Sequence, residues 1–265
     1  MGTAVHRLSV AGHGQIELTV AEYGTGRRFL FLHGGTGPGG PGEFAKLFTD
    51  NYAAHVVIPT HPGFSGTARP DWLDNFTLLA QVYSQLLDEL NLQQVTVVGN
   101  SLGGWIAAEL TLCRPEKIGA LVIIDAIGIE VPGHPVANVH SLTADELNRK
   151  IYHDPSKFEN RNVTTDSAAG AYIRPTQALA TAQVSPAVLP LLDRLHQIRK
   201  PTLVLWGESD GIVDTTYGRA YANAIPGALF QLLPDTGHDV YTESPRKLLQ
   251  PLWEFPHSQN VPPSA

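Results

Sequence analysis

The sequence predicts an α/β domain built on a doubly wound, mostly parallel sheet. Three observations carry that prediction. Phe29 to Leu32, Val56 to Ile58, Val95 to Val98, Leu121 to Ile124 and Leu203 to Trp206 are short apolar runs, interrupted only by Thr96. Runs of that length, rich in Val, Ile and Leu, suit strands covered on both faces. Between them lie stretches with helical spacing, such as Leu79, Val82, Tyr83, Leu86, Leu87 and Leu90 within Phe76 to Leu90. Strand and helix patterns alternate along the chain, as βαβ units require.

Taken in order, Gln15 to Val20 alternates apolar and polar residues, which predicts an antiparallel edge-type strand. The residues before it continue as strand-like sequence and lack the apolar core of a signal peptide or membrane anchor. Leu102 to Leu112 is small and apolar, as a helix buried under a sheet should be. Leu229 to Leu233 reads as the last strand, and Tyr217 to Ala224 and Pro245 to Trp253 as two late helices. Residues 127–199 break the rhythm. They hold helix-like pieces separated by Pro132, Pro135, Pro155, Pro175, Pro186 and Pro190, and no convincing central strand. We read an insertion, with residues 1–126 and 200–265 as the two parts of one core domain. The polar, proline-rich end from Pro256 to Ala265 is expected to fray.

The chain has 265 residues and a formal net charge of −7. That balance argues against nucleic acid, whose phosphates need a basic surface. Cys113 is the only cysteine, so no internal disulfide can form, and a reducing, cytoplasmic location is expected. No stretch approaches the roughly 20 apolar residues that span a bilayer, so no membrane partner is expected. Composition leaves the oligomeric state open.

Gly99-Asn100-Ser101-Leu102-Gly103 matches Gly-x-Ser-x-Gly and sits between a strand and a helix. A serine on that sharp turn projects its hydroxyl above the sheet edge. The helix N-terminus adds N–H groups and partial positive charge near the reacting oxygen. A hydroxyl needs a base to take its proton. His238, on a loop after the last strand, can reach the same edge, and Asp210, just past Leu203 to Trp206, can orient the imidazole. Glu208 and Asp214 are nearby alternatives, more in keeping with solvated loop charges. Asp125 is the stronger rival, because it ends the strand Leu121 to Ile124. The oxyanion of a tetrahedral intermediate would be held by the backbone N–H of Leu102 and by that of Gly35, with Thr36 the neighbouring alternative. Gly34 and Thr36 are candidate substrate contacts, and His33 reads as a structural loop residue. Gly35-Thr36-Gly37-Pro38-Gly39-Gly40 also matches Gly-x-Gly-x-x-Gly. A dinucleotide site would need a helix opening at once and a carboxylate ending the next strand. Instead Pro38 and Pro41 interrupt the loop, and the next strand ends Ile58-Pro59-Thr60-His61. No phosphate-binding loop with a Gly-Lys-Ser/Thr ending and no metal-spaced cluster is present, so no cofactor or metal is expected.

His33-Gly34-Gly35, His61-Pro62-Gly63-Phe64, the turn at Ser101, Asp210 and Gly237-His238, in that order, resemble the α/β-hydrolase superfamily over nearly the whole chain. The resemblance implies a mostly parallel eight-stranded sheet and a helical cap formed by residues 127–199. Within it, Gly34 to Gly39 and Gly99 to Gly104 look like the carbon–carbon hydrolases of aromatic ring-fission products. Those enzymes usually carry an aromatic residue after the catalytic histidine, where this chain has Asp239. They also use a cap arginine, for which Arg161 or Arg174 are the candidates here. The expected reaction is hydrolysis of a small, largely apolar ester through an acyl-enzyme. The alternatives are carbon–carbon cleavage of a ring-fission dienol or diketone, and a non-catalytic ligand receptor on the same fold.

Overall fold

The computed structural model describes residues 2–139, 142–158 and 190–258. Eight strands run β1 (Gly2–Val10), β2 (Gly14–Gly24), β3 (Arg27–Leu32), β4 (Ala54–Pro59), β5 (Val95–Asn100), β6 (Ile118–Ile124), β7 (Thr202–Gly207) and β8 (Leu229–Leu233). They form one sheet in the order β1-β2-β4-β3-β5-β6-β7-β8. β1, β2 and β4 pair antiparallel, and every pairing from β4 through β3 to β8 is parallel. β5, carrying the serine turn at its end, is flanked by β3 and β6 in the middle of the sheet.

The apolar runs follow from coverage on both faces. Leu30 and Leu32 of β3 enter one core with Val97, Leu121, Ile123 and Trp206. The alternating Phe29 and Phe31 enter the other with Val98, Val122, Ile124 and Leu205. Helices α2 (Phe76–Glu89) and α3 (Leu102–Cys113) close the first core. Helix α1 (Gly39–Asn51) closes the second, stacking Phe44 on the ring of Phe31 and setting Phe48 tilted against it.

Helix α1 corrects the expectation of an interrupted loop. It opens at Gly39, directly after Pro38, and places Pro41 in its first turn. A proline there sacrifices only an N–H that has no partner within the helix. β1 is also longer than a sequence pattern can show, because its first residues are exposed and need no apolar alternation.

Among the described residues of 127–199 there is no strand. Helix α4 (Ala144–Ile151) begins with a reciprocal capping box between Thr143 and Glu146. A 3-10 turn (Pro155–Phe158), the short α5 (Leu191–Arg194) and a second 3-10 turn (Leu195–Gln197) follow. Leu147, Ile151 and Tyr152 pack with Ile212, five residues past β7. Arg161 and Arg174 lie outside the described residues. Helices α6 (Thr215–Ala224), α7 (Val240–Glu243) and α8 (Pro245–Ser258) complete the described chain. No helix among the described residues is long and apolar enough to cross a membrane.

Candidate active site

Ser101 lies between β5 and α3 with φ 55° and ψ −118°. A non-glycine residue in that region carries about 1–3 kcal/mol of strain, so its surroundings must impose it. They do. Ser101 N–H donates to Ile124 O at 2.9 Å, and Ser101 O accepts from Gly104 N at 3.0 Å and Ile127 N at 3.3 Å. A Cβ on Gly99 would sit 2.1 Å from Gly103 O, and one on Gly103 only 2.0 Å from Leu32 O. Both flanking glycines are therefore demanded by backbone packed against backbone.

The candidate base and acid meet directly. His238 Nδ1 donates to Asp210 Oδ2 at 2.7 Å, and the Asp210 side chain is fully buried. Asp210 Oδ1 accepts two further N–H groups, from Ile212 at 2.7 Å and Val213 at 3.0 Å. That leaves Nε2 of His238 as the nitrogen for the serine side. Among the described residues the Ser101 hydroxyl and His238 share no hydrogen bond, a contact that commonly tightens only around substrate. The serine turn and the histidine loop are joined through Asn100, whose Nδ2 donates to Ile124 O at 3.3 Å and His238 O at 3.5 Å.

The other carboxylates separate cleanly. Asp214 caps α6, accepting from Thr216 N and Tyr217 N, and pairs with His134 at 2.6 Å. Glu208 is exposed. Asp125 is completely buried and takes Gly207 N–H on Oδ1 at 2.7 Å. Burial, and then the neighbouring Asp210 carboxylate, push it well above the usual carboxylate range.

The glycine-rich loop is held by two histidines. His33 Nε2 accepts His61 N–H at 2.9 Å, which puts the proton on Nδ1, where it meets Gly34 O at 2.8 Å. His61 Nε2 returns a bond to His33 O at 2.8 Å, its Nδ1 faces the Tyr83 hydroxyl, and the two rings stack at 3.7 Å. His33 thus has a structural place. A Cβ on Gly34 would lie 3.1 Å from Ser101 Cβ, so this loop runs against the serine. Gly35 is half-buried and Thr36 exposed beside it. Leu102 N–H opens α3, among the N–H groups that its own helix cannot satisfy.

Sequence reasoning missed the supports behind the pair. The last carbonyls of α4 are taken by both site loops: Lys150 O by Gly211 N at 2.9 Å, and Ile151 O by His238 N at 2.6 Å. Glu243 braces the same corner, accepting from Gly237 N at 2.6 Å and Asp154 N at 3.1 Å. The only sequence signal was glycine at 211 and 237, where a Cβ would strike Lys150 and Ile151 backbone. Asp239 is also drawn in: Tyr152 OH donates to it at 3.4 Å, and burial pushes its carboxyl up.

The model of the alpha/beta hydrolase family matches residues 29–250. The chain belongs to the alpha/beta hydrolase family. Among curated members of this family, it is similar to a 2-hydroxy-6-oxo-6-phenylhexa-2,4-dienoate hydrolase of Burkholderia cepacia, at 26% identity over 86% of each chain. It also resembles a monoacylglycerol lipase of Xenopus laevis, at 25% identity over 76% of this chain and 67% of the other. A solved hydrolase structure, the thermophilic esterase of Thermogutta terrifontis, superposes with a TM-score of 0.75 at 21% identity, covering 97% of this chain and all of the other. The fold expected from the sequence, an α/β-hydrolase sheet of eight mostly parallel strands, is the one observed.

Proposed function

We propose that this hydrolase works through a Ser101, His238 and Asp210 triad. His238 takes the Ser101 proton as the oxygen attacks a carbonyl carbon. Leu102 and Gly35 N–H groups receive the oxyanion, and Asp210 stabilises the imidazolium. His238 then protonates the leaving group and activates water for the second half-reaction. The 2.7 Å contact between His238 and Asp210 carries this reading, because it fixes the tautomer that leaves Nε2 free to act as base.

The preferred substrate class is a small, largely apolar carboxylic ester, with residues 127–199 as a cap over the serine. Asp239 supports an ester over a dienoate. Its carboxyl adjoins His238 and lies near Gly40 of α1, in the place where the carbon–carbon hydrolases usually carry an aromatic residue. The carbon–carbon reading is supported by the dienoate hydrolase relative and remains the second reading. The single cysteine fits a reducing, cytoplasmic setting. A fluorophosphonate probe should label the protein, and Ser101→Ala should abolish both labelling and turnover of p-nitrophenyl esters. Cleavage of ring-fission dienols without ester turnover would transfer the reading to carbon–carbon chemistry. Absence of labelling in folded protein would remove the triad.

A further inference from the structure

Asp125 ends β6 with φ 46°, its backbone N–H donating to Leu205 O at 3.2 Å, and it is fully buried behind Asp210. Its Oδ1 holds the Gly207 N–H, but its buried Oδ2 has no hydrogen-bond partner among the described residues. The Asp210 carboxyl is its neighbour: Asp210 N–H donates at 3.3 Å to the carbonyl of Gly207, the residue whose N–H Asp125 holds, and the Asp210 charge acts on Asp125. Two ionised carboxylates cannot bond to one another, since both only accept. One shared proton removes the repulsion and satisfies the orphaned oxygen together.

The bonding pattern says which carboxyl keeps that proton. Asp210 receives three N–H donors, from Ile212, Val213 and His238, whereas Asp125 receives one, from Gly207. Donors to the charged form favour ionisation, so Asp210 is the anion. We propose that Asp125 is a positioning residue: a neutral carboxylic acid whose Oδ2 donates a hydrogen bond to the Asp210 carboxylate and holds it against His238. The pair then carries one negative charge, held on Asp210 opposite His238. Asp210 therefore stabilises an imidazolium without taking its proton. The role differs from that of a reserve acid, which would have to be ionised.

This inference rests on the triad reading, and its test separates the two. Asparagine at 125 reproduces the neutral acid: its carbonyl accepts from Gly207 and its amide donates to Asp210. With p-nitrophenyl butyrate, Asp125→Ala should lower kcat by about tenfold or more with KM little changed, and shift the acid limb of the pH–rate profile. Asp125→Asn should recover most of kcat and the wild-type limb. In the infrared, wild-type protein at neutral pH should show the C=O stretch of a protonated carboxylic acid that Asp125→Asn lacks. Absence of that band, or an Asp125→Asn variant as inactive as Asp210→Asn, would overturn the proposal. Were the folded wild-type protein to take up no fluorophosphonate probe, the triad reading would fall while the infrared band still decided this one.

Discussion

Gly237→Ala tests whether the end of α4 sets the position of the base. The added Cβ would lie 2.2 Å from Ile151 O and 2.9 Å from Tyr152 Cα, where ordinary contact begins at 3.4 Å. Both obstacles are backbone, so no side chain can swing aside. The histidine loop or the α4 end must yield by about 1 Å, and Ile151 O is the atom that accepts His238 N–H. Misplacing a reacting group by about 1 Å can cost about 100-fold in rate, or about 2.7 kcal/mol in barrier height. We expect kcat for p-nitrophenyl butyrate to fall by that order while a cooperative thermal transition is retained. Nuclear magnetic resonance of the His238 imidazole would report the displacement. A variant with kcat within about twofold of wild type would refute the reasoning, because a strained contact there would then be decoupled from the base.

Other consequences follow from the same geometry. Asp210→Asn should lower kcat by about four orders of magnitude by stabilising the wrong imidazole tautomer, measured against the same ester. Arg194→Ala should destabilise the fold by about 1–3 kcal/mol in urea titrations, because the buried Glu109 that Arg194 holds at 2.8 Å would keep only long bonds from Thr77 and Trp105. Asp88 is held down at about 2, first by hydrogen bonds from Arg114 and Lys117. Its contribution is therefore present above its ordinary value of 3.8 and lost as pH falls toward 2. The carboxylate is 40% exposed, so Asp88→Asn should cost under about 1 kcal/mol at neutral pH, and the gap to wild type should close in acid.

Much of the fold was legible because burial on both faces leaves a plain mark. β6 and β7 read as unbroken apolar runs, β5 as one interrupted only by Thr96, and Ser101, Asp210 and His238 each stand at or just past a strand end. Helix α1 was hidden because Pro38, Gly39, Gly40 and Pro41 have the composition of a loop, and only the first-turn position makes Pro41 harmless. The α4 clamp was hidden for another reason. Its working atoms are the carbonyls of Lys150 and Ile151, which every residue possesses, so residue type cannot mark them. Asp125 was legible as a carboxyl at a strand end, but its proton follows from counting donors around two buried groups.

The stacked pair His33 and His61 makes the glycine-rich loop a proton-sensitive part of the fold's stability. Burial holds His61 well below 6.5, so the folded protein declines a proton that the unfolded chain accepts. The sign follows from linkage: stability is complete above 6.5 and drains as pH falls, by up to about 1.4 kcal/mol per pH unit until the folded-state value is reached. Replacing His61 by Gln should flatten that slope in unfolding measurements between neutral and acid pH. Acid would then act on the loop beside Ser101 through the protons that the denatured state takes up.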